Sequence, residues 1–248
     1  MISVKSKTDI EAMRAAGRIA AEVLERMRDM AKAGVSTLEM DAEAVRIIHS
    51  YGAKASFKGY KGFPAATCMS IDDVVVHGFP SARALREGEI LSVDVGVFYG
   101  GFHADAARTF AIGTVSAEKQ KLIEVTEQCF FEGIRFARAG QRLGDISAAV
   151  QKHAEKYGFS VVRAMTGHGI GRKLHEDPSI PNYGEAGTGV FLKSGYALAI
   201  EPMINLGGST VTTDKRDGWT CRTSDGKAAA HYENTVIVTE AAAEILTL

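Results

Sequence analysis

The chain has 248 residues, 46% hydrophobic and 24% charged, enough apolar material for one large domain or two small ones. Lys and Arg number 29 against 30 Asp and Glu, a formal charge of -1 that gives no basic footprint for nucleic acid and no polybasic membrane anchor. No apolar run reaches ~18 residues, Met1 to Glu11 lacks the apolar core of a secretory signal, and Cys68, Cys129 and Cys221 lack the spacing of a disulfide framework or thiolate zinc site, so a cytoplasmic protein with reduced thiols is expected.

Thr8 with Glu11 forms a capping-box pattern, and Ile10, Met13, Ile19, Val23, Met27 and Met30 follow at helical spacing until Gly34, predicting a first helix. Ser36 with Glu39 repeats the signal, and Leu38, Val45 and Ile48 mark a second helix ending before Gly52. β-type runs follow at Cys68 to Val76 and Ile90 to Ile112. Leu122, Val125, Cys129 and Ile134 then predict a third helix stopped near Gly140, and Ile146 to Tyr157 a fourth stopped at Gly158. Further β-type runs lie at Val161 to Met165, Tyr196 to Asn205 and His231 to Val238. Ala33, Gly34, Ala42, Tyr51 and Gly52 recur 106 positions later as Ala139, Gly140, Ala148, Tyr157 and Gly158. Two similar α+β halves, about 1–115 and 116–248, are therefore expected. With no Pro- or Ser-rich linker between them, they should form a single domain, 1–248, with a site between the halves.

Leu91 to Asp105 reads as two strands joined by a Gly100-Gly101 turn. Centring the hairpin there pairs Tyr99 with Phe102, Val97 with Ala104 and Gly96 with Asp105, and puts Asp94 on the face of Gly96. Asp94 and Asp105 are then diagonal neighbours with α-carbons roughly 7 to 8 Å apart, and Gly96 is expected to leave room between them for a cation. Leu91, Val93, Val95 and Val97 make an apolar row on the other face. Taken alone, the two aspartates also fit a solvated sheet face. Glu201 and Glu233, however, are again single carboxylates in apolar strands, and Gly167-His168-Gly169-Ile170-Gly171 places an imidazole among glycines that allow close approach. Four carboxylates that repel one another unless protonated or metal-bound, with one imidazole, make a ligand set suited to Mn, Fe, Co or Zn in a two-ion cluster.

From about Lys5 to the C-terminus the chain resembles the type I methionine aminopeptidases. The matching motifs are His77-Gly-Phe-Pro80, Asp94 with Asp105 eleven residues on, Gly167 to Gly171, His175-Glu-Asp-Pro178, Glu201-Pro202, and Asp217-Gly-Trp219 followed by Glu233. The resemblance implies the pita-bread fold, in which two α+β halves related by a pseudo-twofold axis share a curved antiparallel sheet. It implies two divalent ions, with Asp94 bidentate on one, His168 and Glu201 on the other, and Asp105 and Glu233 bridging. The implied activity removes the N-terminal methionine of nascent proteins and peptides, with a small second residue preferred, by attack of a metal-bound water or hydroxide on the first peptide bond. By the same resemblance Glu201 shuttles the proton, His175 meets the scissile carbonyl oxygen and its oxyanion, and His77 lies near the scissile nitrogen. Tyr60, Phe63, Cys68 and Trp219 would line the methionine pocket, with Phe57 and Leu174 at its edge. Phe57, Phe63 and Leu174 stand where familiar bacterial members often carry other residues. His103 and His231 are expected to be structural or on the surface. Partners implied are peptide N-termini beginning with Met and transient proximity to the ribosome, and the expected state is a monomer.

Three alternatives compete. Prolidases and proline-specific aminopeptidases share the five-ligand pattern but usually carry an extra N-terminal domain, whereas here nearly everything before Asp94 is used by the first half of the repeat. A type II methionine aminopeptidase would carry a helical insertion in its second half, yet His168 and Glu201 are only 33 residues apart. A catalytically inactive binding module on the same fold would be expected to lose ligands, and all five are present.

Overall fold

The structure, a computed structural model, describes residues 2–248. The chain opens with α1 (Lys7–Met30) and α2 (Thr37–Ser50), followed by β1 (Lys54–Ala55), a 3-10 turn at Tyr60–Gly62, β2 (Thr67–Ile71), β3 (Val74–Val76), β4 (Ile90–Tyr99) and β5 (Phe102–Ala111). The pattern restarts with α3 (Ala117–Ile134), α4 (Leu143–Lys156) and β6 (Ser160–Val161). Then come β7 (Thr166–Gly169), β8 (Glu176–Pro181), β9 (Ala197–Ile200), β10 (Met203–Asn205), β11 (Val211–Thr213), β12 (Cys221–Thr223), β13 (Ala229–His231), β14 (Glu233–Ile237) and β15 (Glu244–Ile245). The 106-residue offset holds at element level, because α2 and α4, and likewise β1 and β6, begin and end 106 residues apart. Gly52 and Gly158 close the two equivalent helices with positive φ of 66° and 79°, which a side chain would resist.

The first helix is capped differently from the sequence expectation. Ser6, in extended backbone, accepts from Asp9 N at 3.2 Å while Asp9 Oδ2 accepts from Ser6 N at 2.9 Å, so the capping box starts two residues before Thr8. Glu11 instead pairs with Arg14 one turn on. Ser36 and Glu39 form the box expected for α2. The buried stripe of α2 is Met40, Ala44, Ile47 and Ile48, while Leu38 is 51% exposed, because the face turned to the sheet is set by packing under α1. No helix is long and apolar enough to cross a membrane among the described residues.

Nine strands form one antiparallel sheet in the order β1-β4-β5-β14-β9-β7-β8, with β2 also on β4 and β15 also on β14. The β5–β14 pairing joins the two halves, and a smaller β11-β12-β3 sheet crosses between them a second time. The central hairpin has the predicted register, with Tyr99 opposite Phe102 and Gly96 opposite Asp105. Its turn uses φ of 59° at Gly100 and 84° at Gly101, the left-handed pair that matches strand twist. Leu91, Val93, Val95, Val97, Ala104 and Ala106 face α1 and share a core with Ala16, Ile19, Ala20 and Val23. The period-two pleat therefore sends Asp94 and Asp105 to the opposite face of the sheet.

Candidate metal centre

Two rows of side chains across the sheet build the site. In the first, Cys68 of β2 lies opposite Asp94 of β4, Asp94 opposite Ala107 of β5, and Ala107 opposite Glu233 of β14. Directly opposed residues share a face, so Asp94 and Glu233 stand on either side of an alanine whose methyl leaves space between them. In the second, His168 of β7 lies opposite Ala199 of β9, and Ala199 opposite Thr235 of β14. The Thr235 hydroxyl accepts from Asp105 N at 2.8 Å and donates to Asp105 O at 2.9 Å, which anchors Asp105 next to that row. Glu201 follows the last residue of β9, and its carbonyl accepts from Asn182 Nδ2 at 3.1 Å. Gly167 lets β7 approach closely, since a Cβ there would lie 2.5 Å from Ala199 O.

All thirteen residues singled out from the sequence, Phe57, Tyr60, Phe63, Cys68, His77, Asp94, Asp105, His168, Leu174, His175, Glu201, Trp219 and Glu233, line one cavity of about 210 Å³. Lys61 is the one lining residue that sequence reasoning missed. The Gly59-Tyr60-Lys61-Gly62 turn was a signal for it, because Lys61 takes a φ of 46° between those glycines. His77 is also left-handed, with φ 61°; two non-glycine residues in this sparsely populated region on one pocket mark a backbone held for function. One expectation is corrected: the space above Gly96 does not lie open for a cation. A Cβ at Gly96 would come 2.6 Å from the Phe57 ring and 2.8 Å from Ser56 Cβ, so the glycine makes room for the pocket wall.

The electrostatics are those of a site lacking its counter-charge. Asp94, Asp105 and Glu233 are buried, and Asp94 Oδ1, Asp105 Oδ1 and Glu233 Oε1 have no hydrogen-bond partner. No Lys or Arg forms a salt bridge with any of the four carboxylates among the described residues. Burial, then repulsion from Asp105, pushes Asp94, Glu201 and Glu233 well above the carboxylate range, and burial lifts Asp105 to about 7. Protein alone thus cannot hold four charges here. The orphaned oxygens, the imidazole and the mutual repulsion fit divalent cations.

The histidines are held neutral. His168 Nδ1 lies 2.8 Å from Gly169 O, which can only accept, so Nδ1 carries the proton and Nε2 turns its lone pair toward Asp105 Oδ2 at 4.0 Å and Glu201 Oε1 at 3.8 Å. Burial draws His168 down to about 3 and His77 to about 4. His175 Nδ1 lies 2.9 Å from Tyr60 Oη, and its ring centroid is 4.2 Å from that of His168. Trp219 meets Phe63 and His77 edge-on at 5.2 and 5.7 Å, and the Asp217 carboxylate holds that loop by accepting from Trp219 N and Thr220 N at 2.8 and 2.9 Å.

His103 is structural, bonded to Ser56 Oγ at 2.8 Å and packed on Phe98. His231 is not on the surface: it is 1% exposed, its Nε2 lies 3.5 Å from Glu201 Oε2 and 3.7 Å from Glu233 Oε2, and neither ring nitrogen has a hydrogen-bond partner. Its place two residues before Glu233 in extended chain was the available signal, since such residues share a face. Behind the sheet, Arg108 donates to Ala107 O at 2.8 Å and Glu233 O at 2.6 Å, tying β5 to β14 under the carboxylates.

Residues 11–240 match the model of metallopeptidase family M24. The chain is 50% identical over 248 residues to the methionine aminopeptidase of Clostridium perfringens, covering 100% of this chain and 99% of that protein. The crystal structure of methionine aminopeptidase from Rickettsia prowazekii superposes with a TM-score of 0.98 at 43% identity, over 100% of both chains. The prolidase from Pyrococcus furiosus shares the fold, with a TM-score of 0.78 at 22% identity, but this chain covers only 65% of it. Carrying the family's fold and the acidic centre on its shared sheet, the chain belongs to the metallopeptidases of family M24 and, among them, to the bacterial-type methionine aminopeptidases.

Proposed function

We propose that this protein removes the N-terminal methionine from peptides and nascent proteins with a small second residue. It would act as a single catalytic domain, 1–248, using two divalent ions of the Co, Mn, Fe or Zn class held by Asp94, Asp105, His168, Glu201 and Glu233. Asp105 and Glu233 would be shared between the ions. The observation that carries this reading is the opening of four unneutralised carboxylates, three of them buried, and His168 into the same small cavity as an aromatic and thiol wall. Its volume of about 210 Å³ lies below the roughly 300–1,000 Å³ of sites that enclose drug-sized ligands, and suits one side chain with its amino group.

Divalent ions bound there would polarise a carbonyl and acidify a water. The protein's own groups supply the rest. Glu201, with one oxygen toward His168 and the other toward His231, takes the water's proton and delivers it to the departing amine. A neutral His175 whose Nδ1 accepts from the Tyr60 hydroxyl presents Nε2–H, the donor needed for the scissile oxygen and its oxyanion. His77 lines the same cavity, near where the leaving nitrogen would lie. Phe57, Phe63, Leu174, Cys68 and Trp219 enclose the methionine side chain, and their apolar packing around a flexible thioether sets selectivity. The same reading includes a monomer at work in the cytoplasm, close to ribosomes.

The test is release of free methionine from Met-Ala-Ser, beside release of the first residue from a Xaa-Pro peptide with Xaa other than Met, using metal-stripped protein with and without added Mn or Co. Metal-dependent cleavage of the first peptide alone is expected. Cleavage of the second alone would assign the chain the specificity of the proline-directed relatives.

A further inference from the structure

We propose that His231 is a sixth ligand of this centre, an imidazole donor to the ion held by Asp94 and Glu233. The inference rests on the two-ion reading given above and adds a residue to it. His231 ends β13 inside the protein, and both ring nitrogens lack any hydrogen-bond partner. A buried imidazole with nothing at either nitrogen carries an uncompensated desolvation cost unless a ligand meets it.

The distances describe shared coordination better than hydrogen bonding. From Nε2 to Glu233 Oε2, the ligand it would share with Asp94, is 3.7 Å, and to Glu201 Oε2, which serves the other ion, 3.5 Å, both beyond the ~2.7–3.2 Å of an N–H···O bond. Two donors bound at ~2.0–2.2 Å to one ion stand roughly 3 to 4 Å apart. His168 shows the same spacing, with Nε2 at 3.8 Å from Glu201 Oε1 and 4.0 Å from Asp105 Oδ2. Each oxygen of Glu201 therefore faces a different imidazole. Donor atoms of Asp94, His231 and Glu233 lie within 4.8 Å of one another, and so do those of Asp105, His168 and Glu233. The centre thus contains two groups of three donors, each with one imidazole, meeting at Glu233.

The chemical consequence falls on the Asp94 end. With carboxylates alone it would be an all-oxygen site, which suits hard ions such as Mg or Ca; an imidazole shifts it toward Fe, Co and Zn, the class His168 favours at the other end.

Metal-stripped full-length protein and its His231→Gln variant are titrated with Co(II), followed by calorimetry and visible absorption, and the loaded proteins are compared by proton NMR. Glutamine keeps a donor for Glu201 and Glu233 but removes the imidazole, so it preserves a hydrogen-bonding role and abolishes a ligating one. The wild type is expected to bind two Co(II) and show two exchangeable, hyperfine-shifted imidazole N–H signals. His231→Gln is expected to show one, with one binding step weakened by about tenfold or more. Two bound ions with a single shifted imidazole signal in the wild type would overturn the assignment of His231 alone, and so would a variant with unchanged binding and spectrum. A wild type that takes up fewer than two ions would overturn the two-ion reading, and this inference with it. The wild-type NMR decides the question even if the variant folds poorly.

Discussion

At the scale of single residues, what distinguishes the site carboxylates is how many partners each would serve. Asp105 and Glu233 are buried, each has an orphaned oxygen, and Glu233 belongs to both donor groups. Asp105→Ala or Glu233→Ala is therefore expected to abolish metal uptake and methionine release together, read by metal analysis of the purified variant beside the peptide assay. His175 is a different case: its ring is aimed by Tyr60, and its proposed partner is the substrate oxygen. His175→Ala should lower kcat by about 10²- to 10³-fold, the usual effect of losing one oxyanion donor, with metal affinity nearly unchanged. Parallel loss of metal in that variant would make His175 a support of the metal site instead.

Among elements, the close approach of β7 to β9 is what brings His168 over the sheet. A methyl at Gly167 would meet Ala199 O at 2.5 Å, which is backbone and cannot rotate away. Gly167→Ala should cost about 1–3 kcal/mol of stability and weaken metal binding by displacing His168, measured by thermal unfolding and Co(II) titration. Much at this scale was legible beforehand. The Gly100-Gly101 turn fixes the hairpin register because two left-handed residues in a row leave few alternatives, and from that register the shared face of Asp94 and Asp105 follows. The Ser36 box was legible because it is local. The α1 cap was misplaced by two residues because Thr8/Glu11 and Ser6/Asp9 both offer a hydroxyl with a carboxylate three residues on, and in the fold Ser6 and Asp9 form the box while Glu11 pairs with Arg14. β7 and β8 were not read as strands: Thr166–Gly169 is half glycine and Glu176–Pro181 carries two prolines, so neither shows the apolar alternation that signals a strand.

For the whole molecule, the metal-free site is a store of repulsion that pH can reveal. Asp105 is raised to about 7 and Asp94, Glu201 and Glu233 lie well above their ordinary range, so the folded state holds protons that the unfolded chain has already released. For carboxylates raised in this way, stability is full below the unfolded pKa and is lost as pH rises through the folded value. Buried His77, His168 and His231, lowered to about 4, 3 and 3, act oppositely, but only below the unfolded histidine pKa of ~6.5. Above pH 7 the carboxylates act without that opposition. The Tm of metal-stripped protein should therefore fall from pH 7 to pH 8.5, and added Mn or Co should flatten the slope; a flat profile without metal would show that the carboxylates do not carry this charge burden.

The amino-acid sequence by itself determined the repeat, the helical pairs, the central hairpin and the identities of the residues in the cavity except Lys61, because each is written in local spacing, in turn residues or in motif order. Tertiary structure alone decided which of them meet. Ala107 separates Asp94 from Glu233 only once β5 lies between β4 and β14, and Phe57 occupies the space above Gly96 only once the segment after β1 folds over the hairpin. His231 enters the centre for the same reason. Its position beside Glu233 was visible in the chain, but its neighbours across the site come from strands more than 25 residues away, and local sequence cannot specify partners that only long-range pairing supplies.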